Sequence, residues 1–356
     1  MSIPPAITST ASADPVADVH RFDLEALGRY MQAHVDGFKA PVSAAQYRGG
    51  MSNPTFLLTD AADRRYVMRK KPPGKLLPSA HAVDREFRVI AALAGSDVPV
   101  PRIYALCEDD AVIGQAFYLM EYVEGRVFRN LALPDLSATD RTAVYDDMNR
   151  ILAALHQVDY EAVGLADYGR VGGYVGRQVK RWSQQYAASK TDELYEMEAL
   201  MKWLPENMPA DDLTTLAHGD FRLENIIYHP TEPRALAVVD WELGTLGNPF
   251  SDLAYNCLPY YYPDTNRGNL IDNDPALSGI PSEAEYVSQY CGRTGREEIP
   301  HWRFYLVLSL FRLAAIGQGV YFRGIQGNAS SPEAIQRGEM ARDLSRIAWR
   351  IVEEGA

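Results

Sequence analysis

The chain is 356 residues long, more than an ordinary single domain, and is expected to form two lobes, each with its own core. Its formal charge is −12 with no long basic run, which argues against nucleic acid or an anionic membrane as the main partner. Cys107, Cys257 and Cys291 are far apart, which excludes a disulfide framework and a cysteine metal site and points to a reducing, cytoplasmic setting.

Residues 1–20 are rich in Ala, Ser, Pro and Thr. With no basic start and no apolar core, they are expected to be a flexible leader rather than a secretion signal. Asp23 is placed to cap a helix carrying Leu24, Leu27, Met31 and Val35 on one stripe. Tyr47 to Asn53 then reads as a glycine turn before an extended run, Thr55 to Thr59, with another at Arg65 to Arg69. An ordinary hairpin accounts for that turn. Its backbone N–H groups at Gly50, Ser52 and Asn53 are also placed to meet phosphates.

Side chains alternate along a strand, so Arg69 and Lys70 point to opposite faces. A stiff loop, Lys71 to Pro78, leads into a helix expected from about Ala80 to Leu93, which carries Glu86. The loop either adds a lysine, Lys71 or Lys75, to a bound anion or simply connects. Ile103 to Leu106 and Ala116 to Met120 read as further strands, the second running into Glu121-Tyr122-Val123-Glu124-Gly125.

From here the pattern turns helical. Ser137 caps a helix reaching about His156, with Val144, Met148, Ile151, Leu152 and Leu155 at helical spacing. His156 reads as a packed structural histidine. Arg177, Lys180 and Arg181 share a helix face, by default a solvated one; the sharper reading is a clamp for an anionic acceptor. A third helix ends near Pro205. Phe304 to Phe322 is the most apolar long stretch, but Arg312 at its centre favours a buried core helix over a membrane span. Tyr260, Tyr261, Tyr262, Trp302 and Tyr305 read as packing, and helices are expected from Ser282, Pro300 and about Pro332.

The most informative stretch is Leu216-Ala217-His218-Gly219-Asp220-Phe221-Arg222-Leu223-Glu224-Asn225, followed by Ala237-Val238-Val239-Asp240-Trp241-Glu242. Asp220 stands on a loop after an apolar run. Asn225 opens the next run, and Asp240 ends a third. A carboxylate, an amide oxygen and a second carboxylate brought together suit a hard cation and a hydroxyl to be deprotonated. Chance turns and caps also contain these residue types, but the combined spacing favours a phosphoryl-transfer site.

This pattern resembles the signature of the aminoglycoside phosphotransferase and choline kinase group, relatives of protein kinases. Gly219 replaces the arginine of the protein-kinase catalytic loop, and Trp241-Glu242 replaces Phe-Gly. The resemblance implies an α+β, bilobal protein-kinase-like fold. Residues 21–122 would form a small antiparallel-sheet nucleotide lobe, and 123–356 a larger, mainly helical lobe for catalysis and acceptor. It implies ATP (GTP remains possible) and Mg as cofactors. Asp220 would accept the acceptor's proton, and Asn225 and Asp240 would hold the metal. Arg69 would take the place of the strand lysine, steadied by Glu86, with Val67 against adenine. Backbone groups of Glu121 and Val123 would bind adenine, and Asp252 would anchor the catalytic loop. The phosphate loop lacks G-x-G-x-x-G, and Asn248 stands where the group usually has Asp.

Within the group, the likeness is to the kinase-like domain fused to some acyl-CoA dehydrogenases, through Arg69 to His81 and Thr245-Leu246-Gly247. It implies a small hydroxylated acceptor, possibly a hydroxyacyl-CoA, and no dehydrogenase unit in this chain. Rival readings are an aminoglycoside kinase, a non-catalytic nucleotide-binding protein and a metal-dependent hydrolase.

Overall fold

The structure, a computed structural model, describes residues 13–47, 53–73, 82–210, 213–264, 267–327 and 334–355. The chain opens with β1 (Ala13–Pro15), α1 (Leu24–His34), β2 (Ser43–Tyr47), β3 (Thr55–Thr59) and β4 (Arg65–Lys70). After α2 (Val83–Leu93) come β5 (Ile103–Cys107), the single turn α3 (Asp110–Ile113) and β6 (Phe117–Glu121). Among the described residues these strands form one antiparallel sheet in the order β1-β2-β3-β4-β6-β5. Asp23 caps α1 by accepting the Glu25 and Ala26 amides, as its position predicts.

Strand alternation divides the sheet's side chains between two cores. Phe56, Leu58, Tyr66, Met68, Phe117 and Leu119 face outward and pack with Leu27 and Met31 of α1. Val67, Tyr118 and Met120 face the other way and join the main core. Arg69 lies on that inner face. Lys70 lies on the outer one, where its ammonium donates to Gln115 Oε1 at 2.8 Å and sits 5.7 Å over the Phe22 ring.

The second lobe is mainly helical: α4 (Ala138–His156), α5 (Tyr174–Ser189) and α6 (Tyr195–Glu206) precede the short β7 (Thr215–Ala217), β8 (Ile226–Tyr228), β9 (Ala235–Val238) and β10 (Thr245–Gly247). β8 pairs with β9 and β10 with β7, which sets two small ribbons at the floor of the cleft. The chain closes with α7 (Pro249–Asn256), α8 (Pro275–Ser278), α9 (Glu283–Arg293), α10 (Trp302–Ile325) and α11 (Arg337–Glu353). Ser137 caps α4, and Ser282 with Glu285 forms a capping box on α9. The helix expected from about Ala80 begins at Val83, and the one expected from about Pro332 begins at Arg337.

By length and composition α10 is apolar enough to cross a bilayer, but 67% of its most apolar window is buried inside the protein. It is the central core helix of this lobe, packed against α5, α7 and α11. Tyr305 is buried, while Tyr260, Tyr261, Tyr262 and Trp302 pack at the edge of the same core, as expected of packing aromatics.

Candidate active site

The loop between β7 and β8 is built from its backbone outward. Gly219 has φ +80°, and a Cβ there would stand 2.8 Å from the Leu243 carbonyl oxygen, so both conformation and space demand glycine. The His218 amide donates to Asp252 Oδ2 at 2.8 Å and the Gly219 amide to Oδ1 at 2.9 Å. Asp252 thus anchors two successive residues of the loop. His156 Nε2 lies 3.4 Å from the same carboxylate, and its Nδ1 lies 2.7 Å from the Tyr290 hydroxyl. His156 is a buried structural histidine, in keeping with its reading from sequence. The His218 ring spans the loop: Nε2 donates to the Val239 carbonyl at 3.1 Å, while Nδ1 accepts the Asp220 amide at 3.3 Å.

Asp220 projects from this frame with both oxygens engaged. Oδ1 accepts the Tyr255 hydroxyl at 2.7 Å; Oδ2 accepts Asn225 Nδ2 at 3.0 Å and forms an ion pair with an Arg222 guanidinium nitrogen 3.0 Å away. Asn225 Nδ2 also donates to the Asp220 carbonyl at 2.8 Å, so the amide nitrogen is committed to the loop and Oδ1 is the group it has for a cation. The Val239 amide donates to the Asn225 carbonyl at 2.9 Å, which places Asn225 one residue from Asp240 across the β8–β9 ribbon. Asp240 itself adopts φ +67°, turning its side chain out of the strand end.

Above the ribbon, one Arg69 guanidinium nitrogen lies 3.0 Å from Glu86 Oε2 and 3.1 Å from Asp240 Oδ1. Glu86 also accepts Asn53 Nδ2 at 2.6 Å and the Tyr118 hydroxyl at 3.1 Å. Burial pushes the Glu86 carboxyl upward, and the Arg69 charge opposes that shift. The buried Arg69 Nε has no hydrogen-bond partner among the described residues. Among the described residues no three His, Cys, Asp or Glu side chains gather as a metal cage. One carboxylate and one amide oxygen therefore suit a hard cation that completes its shell with phosphate oxygens and water.

The residues picked from sequence mostly converge. Asp220, Asn225, Asp240, Arg69 and Glu86 meet at the junction of the lobes, and Asn53 joins them through its side chain rather than its backbone. Gly50, Ser52 and Lys75 lie outside the described residues. Glu121 and Val123 stand at the end of β6; the Glu121 amide is already bonded to the Arg102 carbonyl at 2.8 Å. Lys71 lies 3.9 Å from Asp84, over the start of α2. Arg177 turns back to the Gly172 and Arg170 carbonyls, while Arg181 sits 5.1 Å over the Trp182 ring. Tyr255 and Arg222 were missed. Arg312 showed in the sequence only as a charge in an apolar helix; it donates to the Gly219 carbonyl at 3.0 Å.

Residues 43–286 match the profile of the phosphotransferase enzyme family. Acyl-CoA dehydrogenase family member 10 of Mus musculus is 45% identical over 342 residues, covering 94% of this chain and 32% of that protein. The chain spans less than half the length of the curated relatives it matches. Among solved structures, a Ralstonia eutropha JMP134 protein assigned to the aminoglycoside phosphotransferases is 49% identical. The match covers 94% of this chain and 99% of that one, at a TM-score of 0.87. Choline kinase of Cryptosporidium parvum shares the fold at 14% identity and a TM-score of 0.65, with 93% and 96% of the two chains covered. The chain belongs to the phosphotransferase enzyme family and has the fold it shares with choline kinase.

Proposed function

We propose that this enzyme uses Mg·ATP to phosphorylate the hydroxyl of a small metabolite, with a hydroxyacyl-CoA as the leading acceptor. The observation that carries the reading is the arginine bridge from Glu86 to Asp240, directly above the loop that presents Asp220. That bridge sets a cation where nucleotide phosphates would meet the metal ligands. Asn225 and Asp240 would hold a magnesium ion, whose charge offsets that of the phosphates when bound. Arg69 holds the α- and β-phosphates, kept in place by Glu86. Asp220 orients the acceptor hydroxyl and takes its proton. Glu121 and Val123 supply backbone groups for adenine; with its amide committed to Arg102, Glu121 offers its carbonyl. Most of the rate comes from positioning and charge, because the transferred group needs little covalent help.

Two observations favour an anionic acceptor over a polycationic aminoglycoside. Curated relatives of this segment carry it in longer chains named for acyl-CoA chemistry. Arg312, which donates to the Gly219 carbonyl of the catalytic loop, and Arg181 lie 5.7 and 5.1 Å from the Trp182 ring centroid, and positive charge there disfavours a polycation. The test is transfer of labelled γ-phosphate to a panel holding hydroxyacyl-CoA thioesters and aminoglycosides, with wild type and Asp220→Asn side by side. The variant is expected to fold and bind Mg·ATP normally while transfer falls roughly 100- to 10,000-fold. Transfer at the wild-type rate by the variant removes Asp220 from this role. Transfer to aminoglycosides alone replaces the acceptor.

A further inference from the structure

Asp220 is more crowded than a lone catalytic carboxylate needs to be. An ionised carboxylate offers about four lone-pair directions, two on each oxygen. Asn225 takes one on Oδ2, where Arg222 also lies 3.0 Å away as an ion pair, and the Tyr255 hydroxyl takes one on Oδ1. Among the described residues one direction on Oδ1 is left, on the same oxygen that accepts the Tyr255 hydroxyl.

Tyr255 is itself firmly held. It stands three residues after Asp252 on α7, so one helix face fixes both the amides of His218 and Gly219 and the side chain of Asp220. Arg312 of α10 braces the ring from 5.4 Å while donating to the Gly219 carbonyl. Burial, and then the charge of Asp220, push the phenol above its ordinary range, so the hydroxyl stays protonated and remains a donor.

We propose that Tyr255 is a positioning residue for phosphoryl transfer: by occupying one side of Asp220 Oδ1, it directs the acceptor hydroxyl to the one lone pair left on that oxygen. The proposal rests on the reading of Asp220 as the group that receives the acceptor's proton. Without Tyr255, Asn225 and Arg222 still hold Oδ2, but Oδ1 loses its donor and the acceptor finds two approaches to that oxygen. Nucleotide contacts lie elsewhere, so the loss falls on turnover rather than on ATP affinity.

The experiment compares wild type, Tyr255→Phe and Asp220→Asn with Mg·ATP. ADP release is followed with water alone and with 3-hydroxybutyryl-CoA as the probe acceptor, and nucleotide Kd is measured by calorimetry. The expected result for Tyr255→Phe is a kcat lower by roughly 10- to 100-fold, with ATP Kd and acceptor KM each within about 3-fold of wild type. An unchanged kcat, with wild type far above Asp220→Asn, overturns the role of Tyr255 and leaves the kinase reading standing. A parallel loss of ATP affinity also overturns it, because the phenol would then be a structural prop. Equal rates for wild type and Asp220→Asn bring down the kinase reading and this proposal with it.

Discussion

The carboxylate of Asp252 is 4% exposed and sits beneath the catalytic loop. Burial alone would push its carboxyl upward, yet hydrogen bonding and charge from His156 and His218 outweigh that, and the group ends below its ordinary value. A native value below the unfolded one, about 3.9, means the stabilisation is complete above roughly pH 4. It is lost as pH falls through the native value. Asp252→Asn should therefore cost about 3 kcal/mol at neutral pH, because an amide turns an NH₂ toward a donating backbone N–H. Urea unfolding of both proteins across an acid series checks this: the gap should close below roughly pH 4. A gap that is constant with pH refutes it. Asp252, like Asp220, Asn225 and Asp240, is legible from sequence because each stands in a short run whose spacing carries its meaning. Tyr255 and Arg312 reach the loop from separate helices, and no local pattern announces a contact made only by packing.

Among the elements, α2 binds both lobes. Arg85 donates to the Tyr168 carbonyl at 2.6 Å and the Gly244 carbonyl at 3.3 Å, with its guanidinium 4.2 Å over the Tyr168 ring. Arg88, one turn later, pairs with Asp167 and donates to the Gly164 carbonyl. Both arginines tie a helix of the nucleotide lobe to the larger lobe, and Glu86 stands between them in sequence. Loss of Arg85 should let the helix drift and take Glu86 from Arg69. Arg85→Gln is expected to weaken Mg·ATP binding about 10-fold, the worth of one charge-assisted hydrogen bond. Arg88→Gln removes an exposed pair and should change it less than about 2-fold. Calorimetric titration of both variants decides the matter, and equal effects would remove the tether from the site. The helix itself was expected from sequence, from about Ala80 to Leu93; its grip on the far lobe depends on carbonyls some eighty and more residues away, which sequence spacing does not show.

At the scale of the whole molecule, the two-lobed α+β architecture was legible through the catalytic motif, whereas the strand order was not, because β5 enters at the edge after β4 has been passed. What joins the lobes at the cleft is a charge bridge. Arg69 and Glu86 are 7% and 1% exposed, so neither charge can be left alone cheaply. Glu86→Gln leaves the buried guanidinium with Asp240 as its hydrogen-bonded carboxylate and Glu242 farther off, and should destabilise the free protein by about 3 kcal/mol. Asp240→Asn leaves the Glu86 pair intact and should cost less. Ligand binding reverses the order. With Mg·ATP at 100 times its Kd, wild type gains about 2.7 kcal/mol. Asp240→Asn should lose the part of that gain that depends on Mg, because Asp240 must exchange Arg69 for the cation. Melting curves of wild type and both variants, with ATP in the presence and absence of Mg, separate the two roles. If Asp240→Asn keeps the full magnesium-dependent shift, the metal is held elsewhere and the bridge serves only to join the lobes.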